Sequence, residues 1–438
     1  MRLRKPLLAQ ALLLGSFLGA LGFFQFYPTF PVQNAAIACT CLLFFWLALS
    51  TPIDSRWFSY ICVPAFVLII FVLLYAYVFA VRTDAPILPS ILAQRYYAFF
   101  LLAPVTYMLR VRGWELADFR RVLVPAILLV TMSRVVADFT VSPKSLLLSG
   151  DFFTLRLNAE YSEQAYLLRR LDLSVLLSAL YFGRRVLQSR TIPAAGFSMA
   201  VATLSVVFLL ISVPRVLLAS TAVALIVYGA FLTRPRRARV FIVLLPLFIP
   251  LIALSVPQVA SAVSDTLWQD PSFTARVSSN QIGWDIVAKY PVFGLGQDSL
   301  ASTSYQDLLG ENFFPGDIGL LGIAVQYGMV GVILYLLLSA WLFANMLRLL
   351  WSYNGNAREA RSREKVFVWA LFIVCFAIVL GSPVQARFIK PEGLCIAAFC
   401  SGLLVSRKGG WLAGARVAST DARRSPPTLK PSANSGQT

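Results

Sequence analysis

Histidine is absent from this 438-residue chain, so any chemistry falls to guanidinium, ammonium, carboxylate, phenol or backbone dipoles, or to a carboxylate-held metal. A Ser-His-Asp triad, an imidazole base, a His-ligated zinc or haem and a histidine pH switch are excluded. The most promising cations are Arg215 at the start of an apolar run, Arg276 in a long polar segment, and Arg387 with Lys390 between two apolar runs. A guanidinium grips two phosphate oxygens at once and offsets charge as it develops on a leaving group. Arg95 and Arg134 fall inside apolar runs, where an unpaired charge costs about 3 kcal/mol or more. Each must pair with a neighbouring helix or a carbonyl, or line a polar cavity, and Arg134 is the better placed of the two to meet a ligand. Asp317 and Glu311 are the leading carboxylates for a base or for orienting an acceptor, although Asp directly before an apolar helix is also a good N-cap.

The elements that must position these groups are read from composition. Hydrophobic residues make up 58% of the chain and charged ones 13%, with a mean hydropathy of +0.73. That much apolar side chain does not fit inside soluble cores of ordinary make-up, and an all-α polytopic membrane protein is expected. Reading for runs of ~20 apolar residues gives about 12 transmembrane helices, near 7–27, 32–50, 59–81, 91–109, 122–138, 171–183, 196–213, 215–233, 240–260, 317–349, 366–383 and 392–405. The first run follows Arg2, Arg4 and Lys5, but it is longer than a signal-peptide core and is expected to remain as a span. The cysteines Cys39, Cys41, Cys62, Cys375, Cys395 and Cys400 all lie in apolar runs and read as packing or lipid-facing residues rather than disulfides or zinc ligands.

With the N-terminus inside, cytoplasmic segments hold 26 of the 38 Lys and Arg and extracytoplasmic ones 10, while acidic residues divide 6 to 14 the other way. This is the positive-inside pattern. It puts both termini in the cytoplasm and explains most of the formal charge of +18 without nucleic acid. Residues 1–405 read as the transmembrane domain. Its two long extracytoplasmic loops, about 139–170 and 260–316, are too long to be connectors and are where function is expected. Residues 406–438, rich in Pro, Ser, Gly and basic side chains, read as a disordered cytoplasmic tail. In the larger loop, Ser272 or Thr274 can cap a helix that Pro291 ends, with Val277, Trp284 and Val287 close to one face. Gly319, Gly322, Gly328 and Gly331 read as helix-packing glycines, because their spacing is of the small-xxx-small kind.

The order Arg276, Trp284, Pro291-Val292-Phe293-Gly294-Leu295-Gly296, Asp317-Ile318-Gly319-Leu320-Leu321-Gly322 and Gln326-Tyr327-Gly328 with Gly331 resembles the bacterial O-antigen ligase and polymerase (Wzy-type) family. Ser212-Val213-Pro214-Arg215 is similar to that family's Ser-Arg at the outer end of a span, and Arg156 with Asn158 to its Arg-rich segment after the fifth span. The resemblance covers roughly residues 150 to 400. Two departures favour a repeat-unit polymerase over a ligase. Ligase members carry a histidine motif in the large outer loop, and Pro214 stands where Ser is common.

The resemblance implies a membrane glycosyltransferase in the bacterial cytoplasmic (inner) membrane, using a polyprenyl-pyrophosphate-linked saccharide and no nucleotide sugar. It implies catalytic roles for Arg215, Arg276, Asp317 and Glu311, and substrate-binding roles for Arg387, Lys390, Arg134 and Arg156. No cofactor is implied, and the scattered carboxylates form no recognisable metal site. The bilayer, the lipid-linked saccharide and a chain-length regulator or export complex are the expected partners. A ligase on the same scaffold and a twelve-span transporter or lipid-linked-oligosaccharide flippase are the alternatives. The second lacks an evident internal repeat or a midspan carboxylate for ion coupling.

Overall fold

The computed structural model describes residues 6–23, 32–51, 55–141, 172–189, 191–212, 215–232, 271–297, 305–309, 313, 315, 318–355, 362–383, 385, 388 and 390–404. Among these residues the chain is helical and has no strand. In order they form α1 (Leu7–Ala20), α2 (Val32–Ser50), α3 (Ser55–Thr83), α4 (Ile87–Ala93), a 3₁₀ segment (Gln94–Leu101), α5 (Leu102–Val111) and α6 (Leu116–Val141). Then come α7 (Asp172–Val186), α8 (Ile192–Ser212), α9 (Arg215–Leu232), α10 (Pro271–Lys289), α11 (Tyr305–Leu309), α12 (Gly319–Gly355), α13 (Ser362–Gly381) and α14 (Pro391–Leu404).

Among the described residues five stretches are long and apolar enough to cross a membrane: Val32–Ser50, Ile61–Arg82, Ile192–Leu209, Gly319–Leu350 and Arg363–Gly381. Their outward faces carry large apolar side chains such as Leu49, Ile70, Phe197 and Leu337, which suits lipid and not water. The protein is therefore a polytopic helical membrane protein. The expected ninth span, 240–260, lies outside the described residues, as do most of the 139–170 loop and the tail. The short sixth and twelfth runs are indeed helical, as α7 and α14.

Spanning helices alternate in direction, giving a proximal end, where α1 begins, and a distal end, where α7, α9, α12 and α14 begin. At the proximal end Arg110 donates to the Leu403 carbonyl and Arg112 to the Thr51 hydroxyl at 2.9 Å. At the distal end Leu173 N–H donates to the Glu392 carboxylate at 3.1 Å. α13 forms the centre, packed against α7, α9, α12 and α14. Every residue from Val366 to Ile378 is buried, as expected of a helix that is apolar all round. Aromatic rings fix its register, with Phe343 of α12 at 4.7 Å from Phe376 and Tyr228 of α9 at 6.0 Å from Trp369.

Three elements differ from the hydropathy reading for local reasons. α1 stops at Ala20 rather than near 27, where Gly22 takes φ 88° and Phe23 N–H reaches back to the Leu18 carbonyl at 2.8 Å, a Schellman-type ending. The fourth run is not one helix. Its middle tightens into the 3₁₀ segment, and Pro104, in the first turn of α5, leaves the Phe100 carbonyl without an i+4 donor. The tenth run is a helix interrupted at Gly328 (φ 64°, ψ −166°).

The thiols behave as packing groups. Cys62, Cys375, Cys395 and Cys400 are buried and all six are free, with Cys375 and Cys400 in contact at 3.9 Å between α13 and α14. Close approach of α1 and α2 depends on Gly19, where a Cβ would lie 2.2 Å from Ala36 Cβ and 2.7 Å from the Val32 carbonyl. Gly19→Val is expected to destabilise the fold by ~1–3 kcal/mol, read as a lowered thermal midpoint of the detergent-purified protein.

Candidate functional site at the distal end

The interruption in α12 lies at the distal end, beside α10, which carries Arg276. A break in a helix leaves backbone amides and carbonyls without partners, and inside a bilayer each unmet group is costly. Here the segment after α10 fills the gap. Leu295 N–H donates to the Val325 carbonyl at 2.7 Å and Gly296 N–H to the Gln326 carbonyl at 3.0 Å. From the other side of the break, Met329 N–H donates to the Pro291 carbonyl at 2.9 Å and Val330 N–H to the Val292 carbonyl at 3.4 Å.

The glycines explain why the fit is possible. A Cβ on Gly328 would sit 2.1 Å from the Val292 carbonyl oxygen, and one on Gly294 would sit 2.6 Å from Gly328 N. Both also have positive φ, which favours glycine. The packing-glycine reading is thus corrected at two positions. Gly328 makes the break, and Gly322 admits loop backbone, since its Cβ would meet the Pro315 carbonyl at 1.7 Å.

α3 holds the filled break in place. Arg82 donates to the Gly294 carbonyl and lies over the Tyr290 ring at 4.7 Å. Gln297 N–H donates to the Tyr75 carbonyl at 3.1 Å. Beneath lies a buried polar and aromatic cluster. Tyr327 donates to Gln297 Oε1, Tyr97 and Tyr327 share a hydrogen bond at 3.1 Å, and Tyr305 donates to the Gly296 carbonyl. Gln326 is 4% exposed, and its side-chain oxygen has no hydrogen-bond partner among the described residues. That group can accept from a hydroxyl.

The expected site residues fall as follows. Arg276 is half-buried on α10, whose inner face brings Gly283 so close to the start of α12 that a Cβ there would lie 3.1 Å from the Ile318 and Leu321 side chains. Trp284 does not share that face: it is 64% exposed, and Ser279, Gly283 and Ile286 are buried instead. Arg215 is the first residue of α9. The first turns of α9 meet the end of α13, with a Cβ on Gly381 placed 3.1 Å from Ser220 Oγ and 3.7 Å from Val216. Beyond Gly381, Ser382 bonds Tyr335 of α12 at 2.8 Å, and the chain passes Phe388, 5.9 Å from Tyr335, to the exposed Lys390.

Arg134 is fully buried, with its guanidinium 5.2 Å from the Phe208 ring. Arg95 pairs with Asn34 at 2.7 Å and the Leu92 carbonyl at 3.2 Å, so its charge is met across helices. Arg156, Glu311, Asp317 and Arg387 lie outside the described residues. Among the described residues no group of three or more His, Cys, Asp or Glu side chains is placed to hold a metal.

Sequence reading missed Arg82, Gln297 and Glu392, and it marked Tyr327 only as part of a motif. Arg82 stands at the end of an apolar run and looks like an interface anchor, and nothing local announces that it reaches a carbonyl 212 residues away. Glu392, 8% exposed, resembles an ordinary first-turn acid of α14, yet it holds the start of α7.

Fold and distal site together define a multi-pass membrane protein whose one intricately tied end is built from a loop docked into a broken helix. Residues 173–336 match the family model described as O-antigen ligase, which supports an O-antigen ligase/polymerase assignment for that segment. The match indicates activity of the ligase/polymerase, membrane glycosyltransferase-like type. The matched segment runs from the start of α7, through Arg215 and Arg276, to the turn of α12 that carries Tyr335. No curated protein is significantly similar to the chain.

Gly328→Val is expected to push the loop out of the break. Hydrogen exchange should show faster exchange at Leu295 and Gly296, and the thermal midpoint should fall, with a destabilisation of ~2 kcal/mol or more from the lost bonds and backbone strain.

Proposed function

We propose that the protein polymerises polyprenyl-pyrophosphate-linked oligosaccharide repeat units on the outer face of the bacterial cytoplasmic membrane, as in O-antigen or exopolysaccharide assembly. The acceptor hydroxyl oxygen attacks the anomeric carbon of the donor, the bond from that carbon to the pyrophosphate oxygen breaks, and the hydroxyl proton passes to a base. Arg215, Arg276 and Arg387 would take the charge growing on the pyrophosphate, with Lys390, Arg134 and Arg156 as further substrate contacts. Asp317 would take the acceptor proton, with Glu311 as the other carboxylate in reach of the role.

The observation that carries this reading is the convergence at the distal end. The first turns of α9, the helix that Arg215 begins, pack beside the end of α13, in the same end of the bundle as α10 with Arg276 and the filled break. The charge count supports an extracytoplasmic position for that end. Cations there suit a substrate whose leaving group is anionic, because preorganised donors aimed at developing charge are worth most where water is excluded.

A ligase moving finished glycan to an acceptor is favoured by the description of the matching family, and the absence of histidine from the chain weighs against it. Transport has one feature in its favour, since broken helices mark the binding sites of many transporters. In this protein, however, loop backbone occupies the break and bonds the groups that a transported ligand would otherwise meet.

Arg215→Ala and Arg276→Ala should each leave the protein inserted and lower polymer formation by roughly 10²–10³-fold, seen as a collapse to single repeat units on a polysaccharide gel. Normal chain lengths in both variants would remove these residues from the mechanism. Purified protein in liposomes supplied with lipid-linked repeat units should lengthen the saccharide; translocation without lengthening would favour the transporter.

A further inference from the structure

A polar cavity lies at the opposite, proximal end of the bundle, and the distal chemistry has no use for it. It encloses about 310 Å³ where α7 ends and α8 and α13 begin, and its lining includes Tyr181, Arg185, Gln188, Ser189, Thr191 and Arg363. Polar groups therefore dominate a hollow beside an otherwise apolar core.

Its charge is lopsided. Arg185 is half-buried in the wall and Arg363 stands at the mouth. Arg120 of α6 is close enough to feel Tyr181, Glu364 and Arg363, and burial draws its guanidinium below the usual value. One Arg120 guanidinium nitrogen and the side-chain oxygen of Gln188 are buried without hydrogen-bond partners among the described residues. Of the nearby carboxylates, Asp118 is engaged by Arg121 at 3.5 Å, which leaves Glu364 against several cations. Arg184 does not add to the cavity, since it stacks on Trp369 at 4.4 Å.

Helix geometry adds to the same sign. α8 and α13, of 21 and 20 residues, both begin at the cavity, so their positive dipole ends converge there, although in α8 Pro193 has no N–H and Ala195 N–H already donates to the Thr191 carbonyl at 3.0 Å. α7 ends there, and its last carbonyls are already occupied: Arg185 O accepts from Gln188 N–H at 3.1 Å and Ser189 Oγ at 2.9 Å.

The geometry points to a binding site for a phosphate-bearing anion in this proximal cavity, gripped by Arg185 and Arg363 with the Thr191 hydroxyl and the positive dipole ends of α8 and α13. A phosphodiester fits the polar lining, and the cavity is at the small end of ligand pockets, which suits a headgroup or a free phosphate. Basic pockets between membrane helices hold anionic lipid headgroups by this means. The site stands independently of how the distal end works.

The test uses the full chain in nanodiscs. One set contains phosphatidylglycerol, and the other contains only phosphatidylcholine and is titrated with inorganic phosphate. Native mass spectrometry reads retained lipid, and the thermal midpoint reads phosphate. The wild-type protein should retain phosphatidylglycerol or be stabilised by phosphate, the first outcome assigning a headgroup and the second a free anion. Arg185→Gln, Arg363→Gln and the charge-adding Gln188→Glu should each weaken binding roughly tenfold. Arg121→Gln, whose side chain is 70% exposed, should leave it unchanged. Equal binding by the wild type and the folded cavity variants would overturn the site, as would an equal loss in Arg121→Gln, which would mean general surface charge. If either arginine variant fails to fold, Gln188→Glu, which keeps both guanidiniums, decides the matter.

Discussion

A helix can be interrupted among apolar neighbours only if something else satisfies its backbone, and the distal architecture answers to that requirement. At Gly328 the normal i to i−4 ladder of α12 stops, and four bonds to residues 291–296 replace it. Those bonds fix where α10 ends and how its inner face meets the start of α12. They also place Gln297 against Tyr75 and Tyr327, and with them the buried phenol and carboxamide cluster. Leaving such groups unmet would cost about 1–3 kcal/mol each, a large share of the stability of most domains. The glycines at 294 and 328 are thus a steric condition for everything built around them.

The central α13 plays a different part. Its side chains from Val366 to Ile378 are all buried, so it offers almost nothing to lipid and serves as the surface on which α7, α9, α12 and α14 take their register. Functional groups come only at its ends. Distally it delivers Gly381 and Ser382 to the first turn of α9 and to Tyr335, which brings the Arg215 helix and the segment toward Lys390 to one place. Proximally its first turn contributes Arg363 to the polar cavity.

Much of this was legible in the sequence because hydropathy in a membrane protein is a strong, local signal. The apolar runs mark the helices well, and even the short runs at 171–183 and 392–405 correspond to α7 and α14. Arg215 was recognisable as a cation at the margin of such a run, and Arg276 as one in a long loop. What hydropathy cannot register is where backbone hydrogen bonds go. The run containing Gly328 is as apolar as its neighbours, yet it breaks, and nothing in the hydropathy of the run containing Phe100 says that it tightens into 3₁₀. Gly294, Leu295 and Gly296 were visible as a turn and Gln326-Tyr327-Gly328 as a motif, but nothing local says that one is the partner of the other. Trp284 was misplaced for a related reason: the face of α10 that packs is the one with Ser279 and Gly283, where small size and not hydrophobicity permits close contact.

The tie between Arg82 and the Gly294 carbonyl has a consequence for biosynthesis. Its two ends are separated by 212 residues, whereas most contacts in a helical bundle are local. During translation α3 enters the bilayer long before the loop and α12 exist, and its arginine must wait at the membrane boundary for most of the remaining chain. Closure entropy makes such distant contacts slow to form. Docking of the loop is therefore expected to be among the last steps of maturation, so the distal site would be assembled only once nearly every helix is in place.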